Sequence, residues 1–158
     1  MAPTTYAIAI GSNRYGRHGL PPRTVAAAVA ALPGVIAVAP TIATAPIGPS
    51  TRRFANTVVL VRAAEDPPAL LRRVKAIERR FGRRAGRVWG ARILDLDIVL
   101  WSGGTWRTRQ LTVPHRSFRD RAFVLAPLAV VAGDWRDPRT GRRIRHLAHL
   151  VDRPRPCP

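Results

Sequence analysis

The chain has 158 residues, a length that suits one domain with its own buried core and is short for two. Its only cysteine, Cys157, excludes an intrachain disulfide and a cysteine-built metal cluster, and no run approaches the roughly eighteen apolar residues of a membrane helix. A net charge of +18 points either to a polyanionic partner or to arginine inflated by a GC-rich coding sequence, because Lys75 is the only lysine, and composition leaves both readings open.

From the N-terminus, Thr5 to Ile10 is predicted as a strand of small and β-branched residues, ended by the turn formers Gly11, Ser12 and Asn13. Nothing there has the basic and apolar regions of a secretion signal, so a cytoplasmic protein is the expectation. Pro22 to Leu32, Ala-rich with proline in its first turn, predicts a helix that Pro33 and Gly34 stop. Strands follow at Val35 to Ala39 and Phe54 to Arg62, with a loop from Pro40 to Arg53 between them. Leu70, Leu71, Val74, Ile77 and Phe81 then recur at helical spacing over Pro67 to Phe81, with Gly82 placed to end the helix.

Gly82 to Gly90 is an arginine- and glycine-rich loop, and Ile93 to Trp101 is predicted as a strand. The order strand, helix, strand, strand, helix, strand is that of an α+β, ferredoxin-like sandwich with a mostly antiparallel sheet, and helices on one face of it are the expectation. A C-terminal extension adds a short extended segment at Leu111 to His115, a buried helix or turn at Phe123 to Val131, and a helix at Ile144 to Val151. One domain is expected over residues 1–152, with Arg153 to Pro158 a disordered, proline-rich tail.

With only nine acidic residues in the chain, two that flank a single leucine stand out: Leu94-Asp95-Leu96-Asp97-Ile98. Strand alternation puts Asp95 and Asp97 on one face, about 7 Å apart at the Cα atoms, and Leu94, Leu96 and Ile98 on the other. Two such carboxylates repel unless one is protonated or a cation lies between them, and oxygen ligands with open positions suit Mg²⁺ shared with phosphates. Solvated aspartates on an edge strand are the alternative. Arg83, Arg84, Arg87 and Arg92 crowd the loop just upstream, and guanidinium groups bind phosphate oxygens in bidentate fashion. No Gly-x-x-x-x-Gly-Lys-Ser/Thr or Gly-x-Gly-x-x-Gly occurs, so phosphates would be held by arginine and metal.

His115 follows a rigid proline, and Phe54 and Phe123 are two of few aromatics, each able to flank a flat heterocycle or simply to fill a core. Asn56 shares the Phe54 side of its strand. His146 and His149 lie three apart on a helix read as exposed, and are taken as surface groups.

Trp89-Gly-Ala-Arg-Ile-Leu-Asp95-Leu-Asp97-Ile-Val-Leu100 resembles the signature of the 6-hydroxymethyl-7,8-dihydropterin pyrophosphokinase family. Ala9-Ile-Gly-Ser-Asn13, Thr44-Ala-Pro-Ile-Gly48, Phe54-x-Asn56, Ile77-Glu78, Gly82-Arg83, Leu111-Thr-Val-Pro-His115 and Arg121-x-Phe123 add further pieces in the family's order. The resemblance implies a ferredoxin-like fold and transfer of pyrophosphate from ATP to the hydroxymethyl group of the pterin, with two Mg²⁺ ions held by Asp95 and Asp97. It also implies that Arg83 and Arg92 clamp phosphates, that Trp89 closes over the site with the Arg83 loop, and that His115 and Arg121 contact the triphosphate. Glu78, Ile98 and Thr112 would lie along the nucleotide pocket. Phe54 and Phe123 would sandwich the pterin, whose edge would be read by Asn56 and by the backbone of Thr44, Ala45, Pro46 and Ile47. The loop departs from the family pattern at Ala85, Val88 and Ala91, with Arg84 and Arg87 each one position from the usual basic residue.

The alternative is a same-fold pyrophosphokinase acting on a different pterin, which would share every one of these motifs. An RNA-binding module of the same element order would need the aromatic RNP pattern, which no strand carries, so small-molecule substrates are expected rather than nucleic acid or membrane, and a monomer rather than an oligomer.

Overall fold

The computed structural model describes residues 2–44, 54–82 and 93–151. Its main sheet takes β1 (Thr4–Ser12), β2 (Val35–Val38), β3 (Ile42–Thr44), β4 (Phe54–Ala63) and β5 (Asp95–Trp101). The path runs β2-β4-β1-β5 with every neighbouring pair antiparallel, and β3 continues the β2 edge along the start of β4. This is the ferredoxin-like arrangement: α1 (Pro21–Ala31) and α2 (Pro67–Arg80) each cross over the sheet between strands that are not neighbours.

Local chemistry sets the boundaries. Both helices open on paired prolines, and Asp66 caps α2 by accepting the Ala69 N–H at 3.0 Å. Gly34, at φ +77°, makes the turn from α1 into β2 in contact with the Arg62 carbonyl, where a side chain has neither room nor a favourable backbone. The strand at 42–44 falls inside the stretch expected to be loop: Pro40 interrupts the edge, and the Thr57 hydroxyl takes up the Ala39 carbonyl at 2.8 Å, so pairing resumes at Ile42 opposite Asn56. β1 also runs on through Gly11 and Ser12 instead of turning there, since both residues pair with β4.

The expectation of helices on one face holds for α1 and α2, and the C-terminal extension adds a layer on the other. On the first face, Ile8 and Ile10 of β1 and Leu96 and Ile98 of β5 pack with Val25 of α1 and with Leu70, Val74 and Ile77 of α2. The second face is covered by the C-terminal extension, where α3 (Ala122–Ala132) and α4 (Ile144–Val151) bury Leu125, Leu128, Ile144 and Leu147 against Ala7, Val58, Leu60 and Leu100. Each fully buried aliphatic side chain contributes about 1.5–3 kcal/mol, so both layers matter to stability. A register shift between Ala7 and Ile8 leaves Val99 as an extra residue in β5, which turns both Val99 and Leu100 toward the second core.

Leu111 to His115 contains β7 (Thr112–Val113), which pairs with β6 (Trp106–Arg107), a hairpin partner that the sequence reading did not include. Phe123 to Val131 is helical, within α3, and carries Pro127 in its interior. The expected tail at 153–158 lies outside the described residues.

Candidate active site

The second face of the sheet changes character from one end to the other. Where α3 and α4 cover it, the rows across β4, β1 and β5 are apolar: Leu60, Ala7 and Leu100 face one another. The next rows are Val58, Ala9 and Asp97, then Asn56, Gly11 and Asp95. Ala9, Gly11, Asn56, Asp95 and Asp97 from these rows form the floor of a cavity of about 460 Å³. The central strand keeps the floor low by offering only Ala9 and Gly11. A Cβ on Gly11 would come within 2.9 Å of Asn56 Oδ1, so the missing side chain is what lets the Asn56 amide lie across the strand.

Phe54 from β4, and Phe123 and Arg121 from the start of α3, rise around this floor. Phe54 is 37 % and Phe123 46 % exposed, unusual for two large aromatics in a small domain, and both line the cavity. The Arg121 guanidinium lies 5.8 Å from the Phe123 ring centre, charge beside an aromatic face.

Asp95 and Asp97 both line the cavity, as strand alternation predicted. Burial and the neighbouring Asp95 charge push the Asp97 carboxyl above its usual range, against the opposing pull of His115 and Lys75. His115 Nδ1 accepts the Ser117 N–H at 3.1 Å, which leaves the proton of the neutral ring on Nε2, 4.0 Å from Asp97 Oδ2. The histidine backbone is held as well: its N–H donates to the Val99 carbonyl at 2.9 Å, just past the cis Val113–Pro114 bond.

Among the described residues, no three His, Cys, Asp or Glu side chains come together as a complete metal cage. Two carboxylates that line one cavity, the charge of one raising the pKa of the other, fit a hard cation that takes its other ligands from water and phosphate.

The cavity thus gathers Asp95, Asp97, Phe54, Asn56, Arg121 and Phe123 of the predicted site residues. Glu78, Ile98, Thr112 and His115 do not line it, although His115 lies beside Asp97. Glu78 is fully buried, and its Oε1 accepts the Leu96 N–H at 2.8 Å while Lys75 Nζ lies 3.3 Å from Oε2. Ile98 belongs to the first core, and Thr112 sits on β7 opposite Arg107. The backbone of Thr44 pairs with Phe54, whereas Ala45, Pro46, Ile47, Arg83, Trp89 and Arg92 lie outside the described residues. Gly11, Ser12 and Asn13 also line the cavity without having been singled out as site residues. Ser12 Oγ is buried without a hydrogen-bond partner among the described residues, and the legible signal was a run of small polar residues closing an apolar strand.

The sequence model of the 7,8-dihydro-6-hydroxymethylpterin-pyrophosphokinase family matches residues 7–133. Over 105 residues the chain is 42 % identical to the 2-amino-4-hydroxy-6-hydroxymethyldihydropteridine pyrophosphokinase of Synechocystis sp., covering 66 % of this chain and 54 % of that protein. Over 118 residues it is 40 % identical to the enzyme of the same name from Pseudomonas aeruginosa, covering 74 % of this chain and 70 % of that protein. The chain therefore spans little more than half of the Synechocystis relative. A crystal structure of an HPPK-DHPS chain in complex with substrates superposes with a TM-score of 0.72 at 13 % identity, over 95 % of this chain and 43 % of that one, and supports the fold.

Proposed function

This chain belongs to the 7,8-dihydro-6-hydroxymethylpterin-pyrophosphokinase family, and from that membership we propose that it transfers pyrophosphate from ATP to the hydroxymethyl group of 6-hydroxymethyl-7,8-dihydropterin, a step of folate biosynthesis. The observation that carries the reading is the sharing of one cavity by two carboxylates and two exposed aromatic rings. One pair suits a cation with phosphates and the other a flat heterocycle, and a pterin alcohol reacting with a nucleoside triphosphate needs both at once.

In the proposed reaction the pterin hydroxyl oxygen attacks the β-phosphorus of ATP. A new P–O bond forms, the bond from the β-phosphorus to the oxygen bridging it to the α-phosphate breaks, and AMP departs with that oxygen while the hydroxyl proton passes to solvent. Phe54 and Phe123 hold the pterin between them, and Asn56, fixed over Gly11, offers donor and acceptor to its edge. Arg121 would meet the triphosphate from the start of α3, and His115 from beside Asp97. Asp95 and Asp97 would hold two Mg²⁺ ions, which when bound supply charge neutralisation and alignment of the phosphates. Arg83, Arg92 and Trp89 are assigned, on the resemblance alone, to the closing loop and its phosphate clamp, and Glu78, Ile98 and Thr112 to the surroundings of the nucleotide. Alignment of two bound reactants makes a large contribution to such a displacement, and no covalent enzyme intermediate is needed.

No helix among the described residues is long and apolar enough to cross a membrane; we take the enzyme to act as a monomer in the cytoplasm on small-molecule substrates.

The test is AMP release measured with ATP, Mg²⁺ and the hydroxymethyl dihydropterin, each omitted in turn. AMP should form only with all three, and Asp97→Asn should lower the rate by about two orders of magnitude, the scale for losing one group that stabilises transition-state charge. Equal rates in the variant and wild type would remove the aspartates from the chemistry, and turnover of another pterin in preference would reassign the substrate.

A further inference from the structure

Beyond residue 133, where the family match ends, the chain builds a second concave surface that the transfer reaction does not use. Arg136, Arg142, Arg143, Arg145, His146 and His149 line a cleft of about 580 Å³. Asp134 is the only acid that pairs with any of these arginines among the described residues, at 2.8 Å from Arg145 and 3.7 Å from Arg143. Asp134 is 75 % exposed, so these pairs are weak and readily exchanged for a better anion. Four arginines therefore line the cleft, and one solvated carboxylate pairs with two of them.

The cleft rests on a rigid frame. Asp137 has no exposed surface and accepts from Arg119 Nε at 2.7 Å, Arg119 Nη2 at 2.6 Å, the Arg139 N–H at 3.0 Å and the Thr140 hydroxyl at 2.9 Å. The turn it organises closes with the Asp137 N–H on the Arg142 carbonyl and the Ile144 N–H on the Trp135 carbonyl. Arg136 Nη1 donates to the Gly141 carbonyl at 2.8 Å, and Ile144 and Leu147 anchor α4 in the second core. Backbone order is thus paid in advance, which favours binding by the arginines over a free, solvated loop of equal charge.

We propose that this cleft is a second anion site, for an oligophosphate chain either free or carried on a nucleoside. Arginine forks on an ordered backbone match phosphate oxygens, and the volume suits a short chain of phosphates. Among the described residues no ring of Phe, Tyr or Trp lines the cleft, so the phosphates and not a stacked base are recognised.

The experiment is calorimetric titration of the whole protein with inorganic tripolyphosphate in magnesium-free buffer, at two salt concentrations, repeated with ATP. Arg142→Ala/Arg145→Ala should weaken tripolyphosphate binding at least tenfold while leaving AMP formation unchanged. A control of equal charge, Arg107→Ala/Arg109→Ala, removes exposed arginines elsewhere and should weaken it much less. Tighter cleft-dependent binding of ATP would assign a nucleotide as the occupant, and equal affinity a free oligophosphate. Equal losses in the two double variants would reduce the effect to net charge and overturn the site, as would no loss in either. Circular dichroism of the Arg142→Ala/Arg145→Ala protein separates loss of binding from loss of fold.

Discussion

Glu78 Oε1 accepts the backbone N–H of Leu96 at 2.8 Å, at the one residue that separates Asp95 from Asp97. Among the described residues β5 is the edge of the sheet with no strand beyond it, and a buried carboxylate from α2 satisfies that amide. The contact ties the first-face helix layer to the strand whose aspartates line the cavity on the second face. Glu78→Ala should leave the buried amide unsatisfied and cost about 1–3 kcal/mol in chemical denaturation. It should also lower kcat more than it raises KM for ATP, because the aspartates are displaced and not removed. Glu78→Gln keeps an acceptor and should recover most of both, and a Gln variant as impaired as Ala would show that the negative charge, not the hydrogen bond, is what matters.

The approach of Asn56 to the gap at Gly11 yields a coupling prediction. Gly11→Ala places a Cβ where Asn56 Oδ1 now lies, and the amide, the end of a short side chain, is the part able to move. The protein should fold, with pterin affinity lowered at least tenfold and ATP affinity changed little, as read by fluorescence titration with each ligand. Adding Asn56→Ala should cost little more, since the first change has already displaced the amide. Strict additivity of the two losses would mean that the residues act independently.

Metal-free protein offers a pH test of the aspartate pair. The Asp97 carboxyl titrates above its ordinary value of 3.8 because of burial first and the Asp95 charge second. The folded state therefore favours the protonated acid, and that stabilisation is fully present below pH of about 3.9 and lost as pH rises through the folded-state value. In chelator at neutral pH, Asp97→Asn should melt at a higher temperature than wild type, with the gap closing as the solution is acidified. Excess Mg²⁺ should raise the wild-type melting temperature and leave the variant nearly unmoved. A variant less stable than wild type at every pH would contradict the repulsion.

The sequence made the first face legible and the second face largely not. Ile8, Ile10, Leu70, Val74 and Ile77 declare their packing by strand and helix periods, and these were enough for the element order. α3 has apolar residues almost all round and so announces no direction; it buries Leu125 and Leu128 while leaving Phe123 and Val130 exposed. That is why coverage of the second face was missed. Asp95 and Asp97 were legible because acids are scarce and alternation fixes their side, but the role of Glu78 depends on a contact with Leu96 across eighteen positions, which no local pattern encodes. Gly11 and Ser12 read as turn formers because propensity takes no account of a neighbour such as Asn56, which needs the space.

The buried Asp137–Arg119 pair joins the C-terminal frame to the short turn after His115 that leads into α3. Burial alone would raise the Asp137 carboxyl, but the bidentate Arg119 bonds, the Arg139 N–H and the Thr140 hydroxyl outweigh it, and the acid lies below its ordinary 3.8. A depressed acid stabilises the fold above its unfolded value, and that contribution is lost as pH falls through the lower folded one. Asp137→Ala should therefore destabilise the protein at neutral pH by about 3 kcal/mol, the lower end for breaking a buried pair, because the Arg119 side chain is 16 % exposed and can partly rehydrate. The difference from wild type should narrow below pH of about 4, as wild-type Asp137 itself takes up a proton. Urea titrations at neutral and acidic pH measure both quantities, and a gap independent of pH would mean that Asp137 acts through its shape and not its charge.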